Sequence, residues 1–235
     1  MRSIERWRNN TKGAVRIVAF GSSNTELTFA NEGKHNWVDW LYVSLRAHLG
    51  RHMHVINQGI SGETAEMLLE RIDRDAVSYR PAAVIVTIGG NDAIRGVPTE
   101  AYAEHLREVC RILREHGAEP ILQTYYCPVY HQVNWEDFNR RFPANMQANR
   151  DLADELGLML IDQYIRFEPL YRRHPDEYAK LMRDWMHVNH LGNWLMAQNI
   201  CDRLGLPALP VPADWSPDAD RLLALMDECA PRLQP

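Results

Sequence analysis

Five short apolar runs separated by helical patterns constrain this chain more than any other feature. They are Ala14–Phe20, Met53–Asn57, Ala82–Ile88, Pro120–Tyr125 and Leu158–Ile161. Several are continuously apolar rather than alternating, which is how strands read when both faces of a parallel sheet are covered. Between them, Leu68, Ile72, Ala76 and Tyr79 recur at helical spacing, as do Tyr102, Leu106, Val109 and Leu113. Pro81 and Gly117 supply stops for these helices. Trp194, Ala197, Cys201 and Leu204 mark a further helix, ended by Gly205 and Pro207. Strands alternating with helices predict an α/β fold, a three-layer α/β/α sandwich with right-handed crossovers. A chain of 235 residues is expected to form one domain (1–235), with its core at about 14–205 and a C-terminal extension, 206–235, packed on the outside.

The charge balance narrows the partners. A net charge of −5 gives no general attraction to nucleic acid or to an anionic membrane. The polar start lacks the roughly 7–15-residue apolar stretch of a secretory leader, and no run reaches the ~18 apolar residues of a membrane helix. Cys110, Cys127, Cys201 and Cys229 are far apart and form no CxxC pair, so reduced thiols are expected. These features together predict a cytoplasmic enzyme acting on a small molecule.

Four polar clusters carry the chemistry. Gly21-Ser22-Ser23-Asn24-Thr25, Gly59-Ile60-Ser61-Gly62-Glu63-Thr64 and Gly89-Gly90-Asn91-Asp92 follow the first three runs. Asp184-Trp185-Met186-His187 comes much later. Carboxyl ends of strands are where open α/β sheets build their sites. Ser23 offers a hydroxyl that needs a base to become a nucleophile, although Ser22, Ser23 and Thr25 equally suit a cap. His187 is a candidate base, with Asp184 three residues earlier as a buried carboxylate fixing its tautomer. A surface ion pair, or a zinc site including His190, would account for the same spacing. Gly62 can present a backbone N–H and Asn91 a side-chain amide to an oxyanion, while Gly89-Gly90 also reads as a plain tight turn. Neither GxGxxG nor GxSxG occurs, which argues against a dinucleotide fold and against the α/β-hydrolase elbow.

In this order and placement the clusters resemble the blocks of the SGNH hydrolases, the superfamily of GDSL esterases and lipases, over about residues 15–205. The resemblance implies a five-stranded parallel, flavodoxin-like sheet between helices, and no metal or organic cofactor. It also implies roles: Ser23 as nucleophile, His187 as base and then acid, Asp184 as its orienter, and Ser23 N–H, Gly62 and Asn91 as the oxyanion hole. Two positions depart from the pattern. Ser22 stands where an aspartate is commonest, and Trp185 where a small residue is usual.

The expected function is that of a serine esterase working through an acyl-enzyme on a small carboxylic ester. The long connections Glu26–Asn36 and Cys127–Pro143 offer Glu26, His35, Asn36, Tyr130, His131, Asn134, Trp135 and Arg140. Aromatics mixed with hydrogen-bonding groups suit a sugar, so the reading leans towards O-deacetylation of a carbohydrate. Asn24, Glu26, Tyr130, His131, Trp135 and Trp185 are the candidate substrate contacts. A general short-chain esterase, a lysophospholipase, an acyl-thioester hydrolase and a non-catalytic binding protein are the alternatives.

Overall fold

The computed structural model describes residues 2–10, 12–26, 33–133 and 135–235. Five parallel strands run β1 (Val15–Gly21), β2 (Met53–Gly59), β3 (Ala83–Thr87), β4 (Glu119–Gln123) and β5 (Met159–Ile161), in the spatial order β2-β1-β3-β4-β5. The apolar runs therefore mark the strands to within a residue or two.

Alternation inside each run explains why both faces are apolar. Ile17, Ala19, Ala83, Ile85 and Ile121 belong to one core layer, whereas Val18, Phe20, Val84, Val86 and Leu122 belong to the other. The first layer is covered by α1 (Arg2–Arg8), α2 (Trp37–Leu49) and, from further along the chain, α9 (His190–Leu204). The second is covered by α3 (Ala65–Asp75) and α5 (Thr99–Glu115), with Leu152 and Ala153 of α6 (Glu136–Leu156) completing it. A short α4 (Gly90–Ile94) follows β3; α7 (Gln163–Arg173) and α8 (Pro175–Ala179) follow β5. The tail forms α10 (Ser216–Cys229) against α7, and its Leu222 and Met226 join the first core layer. Arg166 of α7, fully buried, secures that tail by donating to Asp227 (2.5 Å) and to the Ala230 carbonyl.

The connection expected over Cys127–Pro143 is shorter than the sequence suggested. Its second part is helical, since α6 begins at Glu136 and continues through Pro143. A proline inside a helix costs about 3 kcal/mol. Phe138, Phe142 and Met146, spaced by four and all buried, offset it at roughly 1.5–3 kcal/mol each. They form a third apolar cluster with Tyr125, Val133 and Met186, directly beneath the carboxyl edge of the sheet. In the other long connection, residues 27–32 lie outside the described residues, as does Asn134.

Candidate active site

Ser23 sits in the turn that leaves β1. Thr25 and Glu26 N–H both donate to the Ser22 carbonyl (2.9 and 3.0 Å), closing the turn. Gly21 is required there: a Cβ would lie 2.4 Å from the Thr87 carbonyl oxygen of neighbouring β3. Asn57 and Asn36 both donate to the Thr25 carbonyl (2.6 and 3.1 Å), fixing the far side of the turn. Asn36 also N-caps α2 in a capping box with Asp39, so this residue of the long connection is a structural cap. Ser22 is buried and its hydroxyl shares a 2.7 Å hydrogen bond with Tyr125, which answers what replaces the usual aspartate.

The Asp184–His187 cluster is a turn between α8 and α9, tied off by an isolated bridge between Met182 and Val188. The Asp184 Oδ1 accepts from the N–H of Met186 (2.8 Å) and of His187 (2.7 Å). The same carboxylate lies 2.9–3.0 Å from His187 Nδ1. That pairing places the imidazole proton on Nδ1 and leaves Nε2 as an acceptor, 3.0 Å from Ser23 Oγ. The expectation of a buried carboxylate fails: the Asp184 side chain is 40% exposed, because the turn carries it at the rim. Burial still acts to raise its pKa, but the two N–H donors and the imidazole outweigh it and hold the carboxyl below its usual range. The His190 ring packs edge-on against Trp215.

A cross-stitch joins the clusters after β2 and β3. Asn91 Nδ2 donates to the Glu63 carbonyl (2.9 Å), Asp92 Oδ1 accepts from Ala65 N–H (3.0 Å), and Arg95 Nη2 donates to the Gly62 carbonyl (2.8 Å). Short α4 and the residue that ends it, Arg95, thereby hold the Gly62–Ala65 segment. Gly62 has φ +83°, and an added Cβ would meet nothing nearer than 3.8 Å. Backbone conformation, rather than close approach, selects glycine there. No acceptor is found for the N–H of Ser23 or Gly62 among the described residues. Arg71, buried on α3, reaches across to the carbonyls of Gly21 (3.1 Å) and Gln58 (3.0 Å) and pairs with Glu63. Arg71 and Arg95 were not singled out from the sequence, and Asp92 and Asn57 were named there without a role. For Arg95 a signal existed, since it lies four residues beyond Asn91 on the same helical face.

Ser23, Gly62, Asn91, Asp184 and His187 all line one cleft of about 440 Å³, with Tyr125, Ile94, Met186 and Trp185 as its apolar walls. Asn24 lines it too, but its Oδ1 is engaged by the Tyr126 hydroxyl. Glu26 lies at the rim, where it accepts from Ser61 N–H (3.1 Å). Tyr130 and His131 are not brought to the cleft: Tyr130 bonds Tyr164, and His131 stacks on Tyr171. Trp135 stands beside the cleft, edge-on to Trp185. His35 packs on Trp40, and Arg140 pairs with Asp137 at the surface. A larger groove, about 590 Å³, lies at the opposite end of the sheet between Trp7, Ala82 and Glu119, and none of the candidate residues lines it.

The chain is similar to several known proteins. Thioesterase 1/protease 1/lysophospholipase L1 of Escherichia coli is 27% identical over 141 residues, which cover 56% of this chain and 64% of that protein. The chain thus spans less than two thirds of that relative's length. A Bacillus subtilis protein named probable rhamnogalacturonan acetylesterase YesY is 27% identical over 215 residues, covering 83% of this chain and 95% of its own. Among solved structures, the acetylxylan esterase Axe2 of Geobacillus stearothermophilus superposes with a TM-score of 0.70 at 20% identity, over 85% of this chain and 99% of its own, and so shares the fold. The sequence profile of the GDSL-like lipase/acylhydrolase family matches residues 19–195, and the chain belongs to that family.

Proposed function

We propose that the protein is a serine carboxylic ester hydrolase that removes short acyl groups, acetyl foremost, from a carbohydrate. One observation carries the reading: Asp184, His187 and Ser23 form a continuous hydrogen-bonded relay that opens into the cleft beside Gly62 and Asn91. The Ser23 Oγ attacks the ester carbonyl carbon as its proton passes to His187 Nε2. Charge building on the carbonyl oxygen is met by the N–H groups of Ser23 and Gly62 and by the Asn91 amide. The tetrahedral intermediate collapses, the C–O bond breaks, and Nε2–H protonates the departing alcohol. Water then attacks the acyl-Ser23 by the same route and releases the acid. Asp184 stabilises the imidazolium throughout without taking the proton.

Several features favour a short acyl group. The cleft is modest in volume, and Tyr125 and Met186 pack so tightly on Gly90 that a Cβ there would lie 2.7 Å from the methionine methyl carbon. Acetylesterases of polysaccharides among the relatives support a sugar as the alcohol. A cytoplasmic setting, with neither nucleic acid nor membrane as partner, completes the reading. It is supported by the net negative charge and by the buried free thiols of Cys110, Cys127 and Cys201. No helix among the described residues is long and apolar enough to cross a membrane. The test is a panel of acetylated xylo-oligosaccharides, longer-chain esters and acyl-CoA, with p-nitrophenyl acetate as reference. Acetylated sugars are expected to be turned over best, and Ser23→Ala to abolish every activity. Equal or better turnover of the longer-chain substrates would refute the deacetylase reading.

A further inference from the structure

A second groove, of about 550 Å³, adjoins the cleft and shares Ile94 as a common wall. It is bounded by Arg95, Trp135, Glu136, Asp137 and Arg141, besides Ile94. Trp135 is 52% exposed, the most exposed large apolar side chain among the described residues. Its indole is braced edge-on by Trp185 (6.1 Å between centroids) and by Phe138 (6.4 Å), both of which rest on the third apolar cluster. Covering that indole face removes apolar surface from water, a gain of about 25 cal/mol per Å².

The lining identifies the chemistry of that cover. Glu136 and Asp137 bring two carboxylates to the lining and Arg95 and Arg141 two guanidiniums, so the groove is balanced in charge. Asp137 accepts from Arg140 (2.7 Å) and lies 3.5 Å from Arg141. Such a surface has no net pull on an anion or a cation. An alkyl chain laid along it would strip water from four charged groups and give no hydrogen bond in return. A neutral polyhydroxylated ring can instead place its C–H face on the indole and its hydroxyls on the paired charges.

Building on the deacetylase reading, we propose that this groove is a subsite for a neutral glycosyl unit next to the acylated one, with the Trp135 indole as its stacking platform. The Trp135–Trp185 contact makes the platform continuous with the cleft wall, so one oligosaccharide spans both spaces. The enzyme would then select for chain length as well as for the ester.

Equilibrium binding tests this without relying on turnover. Xylose and xylotriose serve as neutral probes, titrated against the whole protein by calorimetry or ligand-observed NMR. Xylotriose is expected to bind at least about 10-fold more tightly, a difference of about 1.4 kcal/mol. Trp135→Ala is expected to reduce that preference to within about two-fold, while Trp135→Phe, which keeps an aromatic face, retains part of it. Absence of a preference in the native protein, or its survival in Trp135→Ala, overturns the subsite. Unchanged melting temperatures show that the variants fold. Failure of the deacetylase reading appears separately, as absent hydrolysis of acetylated xylo-oligosaccharides, whatever the binding titrations give.

Discussion

Asn91→Ala separates catalysis from folding, because the Asn91 amide has two N–H bonds with different tasks. One donates to the Glu63 carbonyl at 2.9 Å; the other is left for the cleft that Asn91 lines. Loss of the first is loss of an ordinary neutral hydrogen bond, about 0.5–1.5 kcal/mol of stability. Loss of the second removes a donor aimed at charge that exists only in the transition state, which costs about 100–1,000-fold in kcat. The expected outcome is therefore a large fall in kcat, a KM close to that of the native enzyme, and a small shift in the denaturation midpoint. Asn91→Asp should be worse than alanine, since it sets a carboxylate against both the Glu63 carbonyl and the developing oxyanion. Initial rates on p-nitrophenyl acetate, with urea denaturation of the same samples, measure both quantities. A kcat within about three-fold of native, or a loss confined to KM, refutes the oxyanion role.

Asp184→Asn keeps an acceptor for the N–H of Met186 and His187, but its amide faces Nδ1 and forces the proton onto Nε2. The wrong tautomer should cost about 10³–10⁴-fold in kcat with folding preserved, and near-native rates would disprove the relay. Arg71→Met strands Glu63 and the carbonyls of Gly21 and Gln58 in a buried place, so a stability loss of about 3–5 kcal/mol is expected by chemical denaturation. A loss under about 1 kcal/mol would mean that water reaches these groups. Burial raises the pKa of Asp92 despite its bond to Ala65 N–H, and its Oδ2 has no partner among the described residues. A carboxyl raised on folding binds its proton more tightly in the native state, so its contribution is fully present below the ordinary aspartate range and is lost as pH rises through the raised value. Asp92→Asn should accordingly gain in melting temperature relative to native more at pH 7 than at pH 4; equal differences at both would show that the site tolerates the charge.

How much was legible follows from what each residue answers to. The strands were readable because burial on both faces writes largely apolar runs; Ser23, Gly62 and Asn91 were readable because they follow such runs, and Asp184 and His187 only from their mutual spacing of three. The helical segment Glu136–Pro143 was not, because proline is a local stop signal whereas the burial that overrides it comes from Tyr125, Val133 and Met186 elsewhere in the chain. Arg71 was hidden for a related reason: a charged residue reads as surface until its partners, 50 and 13 positions earlier, are brought over it. Tyr130 and His131 show the converse limit. Composition names the residues of a loop, but not which of them turn towards the cleft and which towards Tyr164 and Tyr171.

Sheet order explains why parts so far apart in sequence meet. With β1 between β2 and β3, the turns bearing Ser23, Gly62 and Asn91 emerge side by side at the point where the winding reverses. The three hydrogen bonds from Asn91, Asp92 and Arg95 then fix two of these turns as a unit. His187 has no strand to place it. It is positioned by the chain leaving β4: Val188 N–H donates to the Tyr126 hydroxyl (3.0 Å), and Val129 N–H to the Trp185 carbonyl (2.8 Å). Nucleophile and base are tied to this same exit, since Ser22 bonds the Tyr125 hydroxyl and Asn24 the Tyr126 hydroxyl, and the 3.0 Å contact between them depends on how firmly the β4 exit is packed. The burial of Tyr125, Tyr126 and Phe142 at that exit supplies this rigidity, which ties the aromatic content of the segment to catalysis as well as to stability.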